Sequence, residues 1–282
     1  MIAPDVSAAF LVPFFGPLPP YFIHWAKSCE INHDHFHWFV YSDRTRQPRR
    51  LNRAVTVIPY TVDAMAADFS DLLGIDICRD NQRMVCNFRL LLYALRRKRE
   101  PLDRFDFIGY TDVDMIYGDL SRFLPDDTRA YRMISGDDDH PCGPFTLICR
   151  DAAACLPDSS RIREEMGRRS YWAFDESPEF MAIVADGGPV HCRAHPLQPA
   201  MTHGINHRKS FSVWDRGRAT VWDFRGRRMP GGFYHFSRFK GKARFRVRPE
   251  AVSHPVWGVC KYGILPASTR RAFWRLALSL VM

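Results

Sequence analysis

One segment, residues 105–119, constrains this chain most, because an apolar stretch runs directly into closely spaced acids. It reads Phe-Asp-Phe-Ile-Gly-Tyr-Thr-Asp-Val-Asp-Met-Ile-Tyr-Gly-Asp. Residues 107–110 are short, apolar and aromatic and follow the charged run 96–100, which predicts a buried strand after the end of a helix. The acids therefore come at the end of a strand, at the edge of a predicted core.

Asp112 and Asp114 are separated by one residue, so in extended backbone both carboxylates point to the same side and Val113 points to the other. Two neighbouring carboxylates repel each other unless a positive charge lies between them. A hard divalent cation, Mn²⁺ or Mg²⁺, takes oxygen ligands and keeps positions open for phosphate oxygens. Turn or helix-cap roles are the alternative, but the apolar residues 115–117 place the acids beside a core, where carboxylates need a partner.

Segments typical of strands alternate with segments typical of helices along the first 156 residues. Predicted strands cover residues 8–15, 37–41, 54–59, 107–110, 131–135 and 143–149, and predicted helices cover residues 21–29, 62–73, 81–99 and 150–156. This order predicts an α/β sheet with parallel neighbouring strands. No G-x-G-x-x-G motif follows the first strand, so the dinucleotide-binding fingerprint is absent.

The composition is that of a globular protein. The chain has 282 residues, of which 46% are hydrophobic, enough for the core of one large domain or two small ones. No apolar run approaches the about 20 residues of a membrane span, and the first residues lack a signal-peptide pattern, which predicts a cytoplasmic protein. The eight cysteines include no C-x-x-C pair, so we expect reduced thiols rather than disulfides or a zinc site.

The net charge of +9 is unevenly placed. Residues 201–282 hold 17 Lys and Arg against three Asp and Glu, whereas the first 200 residues hold 23 basic and 28 acidic residues. Such a basic region either serves phosphate groups, anionic lipid or nucleic acid, or is simply a solvated face. Residues 270–282 form a predicted short basic and apolar helix, which either docks on the core or lies on an anionic membrane surface.

A second candidate site surrounds the acid pair Asp175 and Glu176. Trp172 and Phe174 offer aromatic faces for a sugar, and an adjacent carboxylate can abstract a proton or bind sugar hydroxyls. The alternative is a helix start, with Asp175 as its cap and the helix running from residue 176 to 184. Both roles are compatible.

A late histidine, His235, lies on a predicted strand and is followed by Arg238 and Lys240. An imidazole can complete a metal shell, and the two cations can offset the charge that develops on a departing diphosphate. The alternative is a histidine that is merely packed or exposed.

The acidic segment also resembles a known family. Residues 107–120 resemble the W-G-Y-x-D-x-D-x-I-F-G-D-[IL] block of a DUF6625-like family of bacterial GT-A-type glycosyltransferases found among polysaccharide-biosynthesis proteins. Shorter matching blocks follow the family order at residues 12–22, 86–89, 143–147, 174–176 and 234–238. The resemblance covers about residues 9 to 242.

The resemblance implies a GT-A-like fold, a Rossmann-like nucleotide-binding mixed sheet flanked by helices. It would form a single domain over residues 1–242, with a nucleotide-binding half at 1–120 and an acceptor half at 121–242. A basic C-terminal extension would cover residues 243–282.

The resemblance also implies roles for individual residues. His235 would be the third metal ligand beside Asp112 and Asp114, and Asp175 or Glu176 would act on the acceptor hydroxyl or orient the sugar. The donor would contact Phe14, Phe15, Gly16, Asn87, Arg89, Thr111, Arg238 and Lys240, and the acceptor would contact Trp172 and Phe174. The family has C-D-[FY]-K where this chain has Cys86-Asn-Phe-Arg, and the lost charge at Asn87 weakens that assignment. The Phe14–Gly16 segment is equally well explained as a plain strand-ending turn.

Together these patterns predict a Mn²⁺- or Mg²⁺-dependent glycosyltransferase that moves a sugar from a nucleotide-sugar donor, with a UDP-sugar favoured, to a glycan or lipid-linked acceptor. One alternative is metal-dependent phosphoryl or nucleotidyl transfer or phosphodiester hydrolysis, because paired aspartates bind a metal–phosphate unit whatever group is transferred. The other is a nucleic-acid-binding protein using the basic tail. For that function the sequence offers no helix-turn-helix, zinc-finger or RNP pattern, so no nucleic-acid partner is expected.

Overall fold

A computed structural model of the protein describes residues 6–77, 85–137, 139–168, 172–193, 210–223, 225–267 and 274. The predicted helix at 270–282 lies outside the described residues, apart from Trp274. None of the helices in the described ranges has the length and hydropathy required of a membrane span.

Strands and helices alternate through the first half of the described chain, and strands dominate after residue 209. The strands are β1 (Ala8–Pro13), β2 (Phe36–Ser42), β3 (Arg49–Arg50), β4 (Val55–Pro59), β5 (Phe107–Thr111), β6 (Met115–Tyr117), β7 (Met133–Ser135), β8 (Phe145–Cys149), β9 (Val190–Cys192), β10 (Ser210–Asp215), β11 (Arg218–Asp223), β12 (Arg228–Gly231), β13 (Phe233–His235), β14 (Arg246–Val247), β15 (Val256–Cys260) and β16 (Gly263–Pro266). The helices are α1 (Phe22–Glu30), α2 (Val62–Leu73), α3 (Val85–Phe88), α4 (Leu92–Arg96), α5 (Arg150–Cys155), α6 (Ser160–Met166), α7 (Pro178–Ala185) and α8 (Ser237–Lys240).

The main sheet has the strand order β3-β4-β2-β1-β5-β8-β7-β9 within the described residues. Strands β4, β2, β1 and β5 are parallel, with Phe10 of β1 opposite Trp38 of β2 and Gly109 of β5. Strand β8 is antiparallel to both β5 and β7, so the sheet is mixed. The predicted α/β fold with a mixed sheet flanked by helices is confirmed.

Alternating residues of β1 supply the two faces of this sheet, as the period of a strand requires. Phe10 and Val12 join a buried cluster that contains Trp25 of α1, whereas Ala9 and Leu11 join a second cluster on the other face, with Phe69 of α2. Because both faces are covered, the central strands read as nearly continuous apolar runs in the sequence.

A second sheet, in the order β12-β11-β10-β15-β16-β14, packs on the α1 side. Trp214 and Trp257 stack at a centroid distance of 5.1 Å, and the Trp214 indole N–H donates to the carbonyl oxygen of Tyr117 at 2.9 Å. Strands β10 to β12 of this sheet precede residue 242, and β14 to β16 follow it. The sheet therefore joins residues from both sides of the predicted boundary between the domain and its extension.

Two helix predictions differ from the structure. Within its described part, the predicted helix 81–99 is divided into α3, a 3₁₀ turn at Arg89–Leu91 and α4, because the buried ion pairs of Arg89 override local helix propensity. The predicted cap at Asp175 is wrong. Helix α7 begins at Pro178, and the Ser177 hydroxyl accepts from the Phe180 N–H at 3.1 Å.

A buried histidine on α1 should make stability depend on pH. His24 is 0% exposed, and burial lowers its pKa to about 4, an effect that the Arg248 backbone and Glu250 partly offset. The unfolded chain, with an ordinary histidine pKa of about 6.5, binds the proton first, so stability falls as pH falls from about 7 towards 4. At pH 5 this histidine costs about 2 kcal/mol of unfolding free energy.

Urea unfolding from pH 7 to pH 5 measures this effect. We expect the loss to be smaller in His24→Gln than in the wild type, and His140→Gln, at a side chain that is 45% exposed, is the control. An equally steep loss in His24→Gln would show that other groups carry the acid sensitivity.

Candidate active site

The candidate site lies where β1 and β5 end side by side. In open α/β sheets, ligands bind at the carboxyl ends of strands where the strand order reverses, and here β2 and β5 flank β1 on opposite sides. Asp112 follows β5 directly. A cavity of about 220 Å³ opens at this edge. Its lining comprises Val12, Pro13, Phe14, Val85, Cys86, Arg89, Thr111, Asp112, Val113, Asp114 and Lys240.

A short antiparallel pair, β6 with β13, brings His235 to the two aspartates. His235 lies opposite Met115, and the Phe236 N–H donates to the Asp114 carbonyl oxygen at 3.1 Å. The His235 Nε2 atom is then 3.4 Å from Asp114 Oδ2 and 3.8 Å from Asp112 Oδ2. The three residues offer ligand atoms that all lie within 4.8 Å of one another.

His235 and Lys240 both lie beside the carboxylate of Asp114. Its side chain is 1% exposed, and Lys240 Nζ lies 2.8 Å from Oδ2. Burial alone would raise the pKa of Asp114, but His235 and Lys240 outweigh burial and hold that pKa well below its usual range. Burial alone would lower the pKa of His235. The negative charges of Asp114 and Asp112 outweigh burial and raise that pKa above its ordinary value. The aspartate is therefore ionised throughout the physiological range.

A divalent cation fits this group of ligands. Asp114 Oδ2 and His235 Nε2 make no hydrogen bond of ordinary geometry within the described part of the chain, although both lie within ion-pair distance of partners. Two carboxylates and an imidazole suit Mn²⁺ or Mg²⁺, with positions left for phosphate oxygens. The predicted group of Asp112, Asp114 and His235 is thus close enough to hold one ion.

Arg89 links this group to the second acid pair. Its guanidinium donates to Asp112 Oδ1 at 3.0 Å through Nη1 and to Asp175 Oδ2 through Nη2, and it lies 4.4 Å above the Tyr110 ring. Burial alone would lower the pKa of Arg89, but Asp175 and Asp112 outweigh burial and raise it. Arg89 therefore remains a cation that fixes the relative positions of two carboxylates.

The two acids of the pair have different surroundings. Asp175 is 1% exposed, and burial raises its pKa against the opposing effect of Arg89. Glu176 is half-buried, and burial followed by the charge of Asp175 raises its pKa, while the N–H of Gly143, which donates to Glu176 Oε1 at 2.9 Å, opposes the rise. Asp175 is already paired with Arg89, so Glu176 is the acid that is more available to a ligand.

The sequence interpretation missed the part played by Gly143. A Cβ atom at this position would lie 2.1 Å from Glu176 Oε1, so a larger residue would displace the carboxylate. In the sequence, the segment 143–147 indicates only a strand and one of the family-like blocks. The glycine at its start was the one feature that could have pointed to a close approach of another group to the backbone.

Only some predicted donor residues reach the cavity. Phe14, Arg89, Thr111 and Lys240 line it, whereas Phe15 packs against the core cluster of α2. The Gly16 N–H donates to Asp43 Oδ1 at 2.9 Å, as expected of a turn. The side chain of Arg238 lies outside the described residues.

The remaining predicted contact residues have partners within the protein. Asn87 is 1% exposed, and its Nδ2 donates to the Trp172 carbonyl oxygen at 3.3 Å. The Trp172 indole N–H donates to Glu165. Phe174 is 0% exposed and packs against Phe180, so its ring offers no face to an acceptor.

Comparisons with known proteins give one family and a number of distant structures. A family model described as a family of unknown function, DUF6625, matches residues 10–243. No curated protein matches the chain. Similar solved structures include the galactosyltransferase LgtC in complex with donor and acceptor sugar analogs, at 13% identity over 65% of this chain and 72% of that one, with a TM-score of 0.38. Another is apo mouse xyloside xylosyltransferase 1, at 11% identity over 82% and 98% of the two chains, with a TM-score of 0.42. At TM-scores below 0.5 these likenesses carry no argument for the function.

Proposed function

Because this chain belongs to the DUF6625 family of unknown function, we propose its activity from the site itself: a metal-dependent glycosyltransferase that uses a nucleotide-sugar donor. The observation that carries the proposal is the group of Asp112, Asp114 and His235, gathered at the carboxyl end of a parallel strand with Lys240 beside it. Carboxylates, an imidazole and a cation together suit a metal–diphosphate unit.

The metal ligands and the neighbouring cations would have different roles towards the donor. Bound there, Mn²⁺ or Mg²⁺ would act as a Lewis acid towards the donor diphosphate. Asp112, Asp114 and His235 would hold it, and Lys240, together with Arg238 of α8, would offset the charge on the departing nucleotide. Thr111 and Phe14 would border the donor within the cavity.

Glu176 is the acid we assign to the sugar or acceptor. Its raised pKa suits proton transfer, and its carboxylate is oriented by the Gly143 N–H. In addition to burial, Asp175, held by Arg89, contributes to the raised pKa of Glu176 through its charge. In an inverting reaction Glu176 takes the acceptor proton, and in a retaining reaction it orients the sugar.

We further propose that the donor is a UDP-sugar and that the acceptor is a glycan or a lipid-linked molecule. The protein would act in the cytoplasm, in surface polysaccharide synthesis. These assignments follow from the family resemblance of residues 107–120 and from the metal ligands. Metal-dependent phosphoryl transfer is the competing function, because the same group of ligands would serve it.

Thermal unfolding against UDP-, GDP-, CMP- and dTDP-sugars, each with and without Mn²⁺, tests the proposal. A ligand that binds only the native state raises its melting temperature, so one nucleotide class should produce a shift that requires the metal. Release of the free nucleotide with a sugar acceptor would then establish transfer. No shift with any donor in a folded sample, or nucleotide monophosphate transfer without sugar transfer, would overturn it.

A further inference from the structure

We propose that a second surface, the arginine edge, docks this protein on an anionic phospholipid bilayer. The arginine edge comprises the exposed side chains of Arg44, Arg46, Arg49, Arg50 and Arg53, together with Leu18, Ile23 and Leu51. Arg44, Arg49 and the three aliphatic side chains line a groove of about 510 Å³ between α1 and the β3–β4 edge of the main sheet, together with the ion pair of Lys27 and Glu30. The proposal concerns a different surface from the C-terminal segment, and it stands whether or not the chain is a glycosyltransferase.

The positive charge of this edge is concentrated and accessible. Residues 44–53 contain five arginines and no acid, in a half of the chain where acids outnumber bases. Arg46 and Arg49 are exposed and make no ion pair among the residues that the structure describes. Arg50 donates only to backbone carbonyl oxygens, those of Asn52 and Arg53. Neighbouring cations of this kind are attracted to anionic headgroups.

Apolar side chains lie among these cations. Leu18, Ile23 and Leu51 are 37%, 42% and 36% exposed and are three of the five large hydrophobic residues that the described chain exposes. All three line the same groove. Exposed aliphatic groups beside Arg44 and Arg49 match the headgroup and acyl boundary of a bilayer, where apolar and cationic groups each find favourable surroundings.

A nucleic acid explains this surface less well. It would neutralise the arginines but leave the three aliphatic side chains uncovered, and it would gain nothing from an apolar groove. The edge strand β3 is exposed at both of its residues, so no other described element shields Arg49 and Arg50.

The arginine edge is also close to the candidate active site. Phe14 lines the site cavity and Leu18 lines the groove, and four residues of chain span at most about 14 Å. If the proposed function holds, a lipid-linked acceptor would be presented beside the cavity by the same bilayer that the edge contacts.

Flotation of the full-length protein with vesicles tests the proposal. We expect binding to phosphatidylcholine vesicles that contain phosphatidylglycerol, weakening with salt, and little binding to phosphatidylcholine alone. Arg46→Glu/Arg49→Glu should lower the partition coefficient at least about tenfold. Ile23→Ser/Leu51→Ser should lower it about tenfold as well, because the aliphatic insertion is lost.

The matched control is Lys98→Glu/Arg99→Glu. These exposed residues follow α4, which packs on the other face of the main sheet, and the variant makes the same change in net charge. It should retain wild-type partition, and all variants should unfold at unchanged temperature. Equal loss in the control, or no preference for anionic vesicles, overturns the proposal. Undiminished binding of the serine variant together with displacement by RNA would overturn it in favour of a nucleic-acid surface.

Discussion

Asp114→Asn is expected to abolish the stabilisation that Mn²⁺ and the nucleotide-sugar donor give the wild type, and to lower transfer at least about a hundredfold. Asparagine keeps the shape of the side chain but removes the charge that faces His235 and Lys240. The position is 1% exposed, so water cannot supply a replacement ligand without rearrangement.

Asp151→Asn is the matched control for this prediction. It makes the same charge change at a side chain that is 89% exposed, just after the end of β8 that pairs with Phe107, opposite the site. Titration of each variant with Mn²⁺ alone, followed by calorimetry, separates metal binding from turnover. Wild-type Mn²⁺ affinity in Asp114→Asn would remove this residue from the metal site.

Arg89→Met is expected to destabilise the protein by about 3 to 5 kcal/mol at pH 7. The substitution keeps most of the side-chain volume but removes the cation that pairs with Asp175, which is 1% exposed, and with Asp112. An uncompensated buried carboxylate is among the most costly defects in a folded protein. Urea unfolding measures the difference.

The double variant Arg89→Met/Asp175→Asn tests the cause. Because it removes the buried charge as well, it should recover part of the stability that Arg89→Met loses. An equal or larger loss in the double variant would mean that Arg89 stabilises the fold by packing on Tyr110 rather than by its charge.

The pH dependence of Arg89→Met has a defined sign. Burial already raises the pKa of Asp175 in the native protein, and removal of Arg89 raises it further. A native state with a raised carboxyl pKa holds a proton that the unfolded chain releases above about pH 3.9, so stability falls as pH rises through that window. The cost of Arg89→Met should therefore be smaller at pH 5 than at pH 8.

Local patterns predicted the strands that build the site. The stretch from Phe107 into Asp112 is an apolar strand followed by acids, as predicted. The structure brings Asp112 and Asp114 together, but in the bend between β5 and β6 rather than in the extended backbone that the period-two argument assumed. The helix Val62–Leu73 was predicted with the bounds that the structure has. In the structure Thr61 caps it and Gly74 ends it in the left-handed conformation.

Predictions failed where tertiary contacts override local preference. The sequence favours an aromatic face for a sugar at Phe174, but aromatic residues pack equally well in a core, and Phe174 is fully buried. The helix around Arg89 is broken at the residue whose charge the site uses. A sequence pattern records polarity and spacing but not which of two apolar environments a ring will enter.

The sequence by itself determined the α/β class, the acidic end of the fifth strand and the family to which the chain belongs, because all three rest on contiguous residues. Only the tertiary structure decided that the β6–β13 pair carries His235 to Asp114 and that Arg89 joins Asp112 to Asp175, 86 positions from the arginine. It also decided that Leu18, Ile23 and Leu51 share one groove with Arg44 and Arg49. Contacts between distant segments depend on how strands pair and helices pack, and neighbouring residues in a single sequence do not record that.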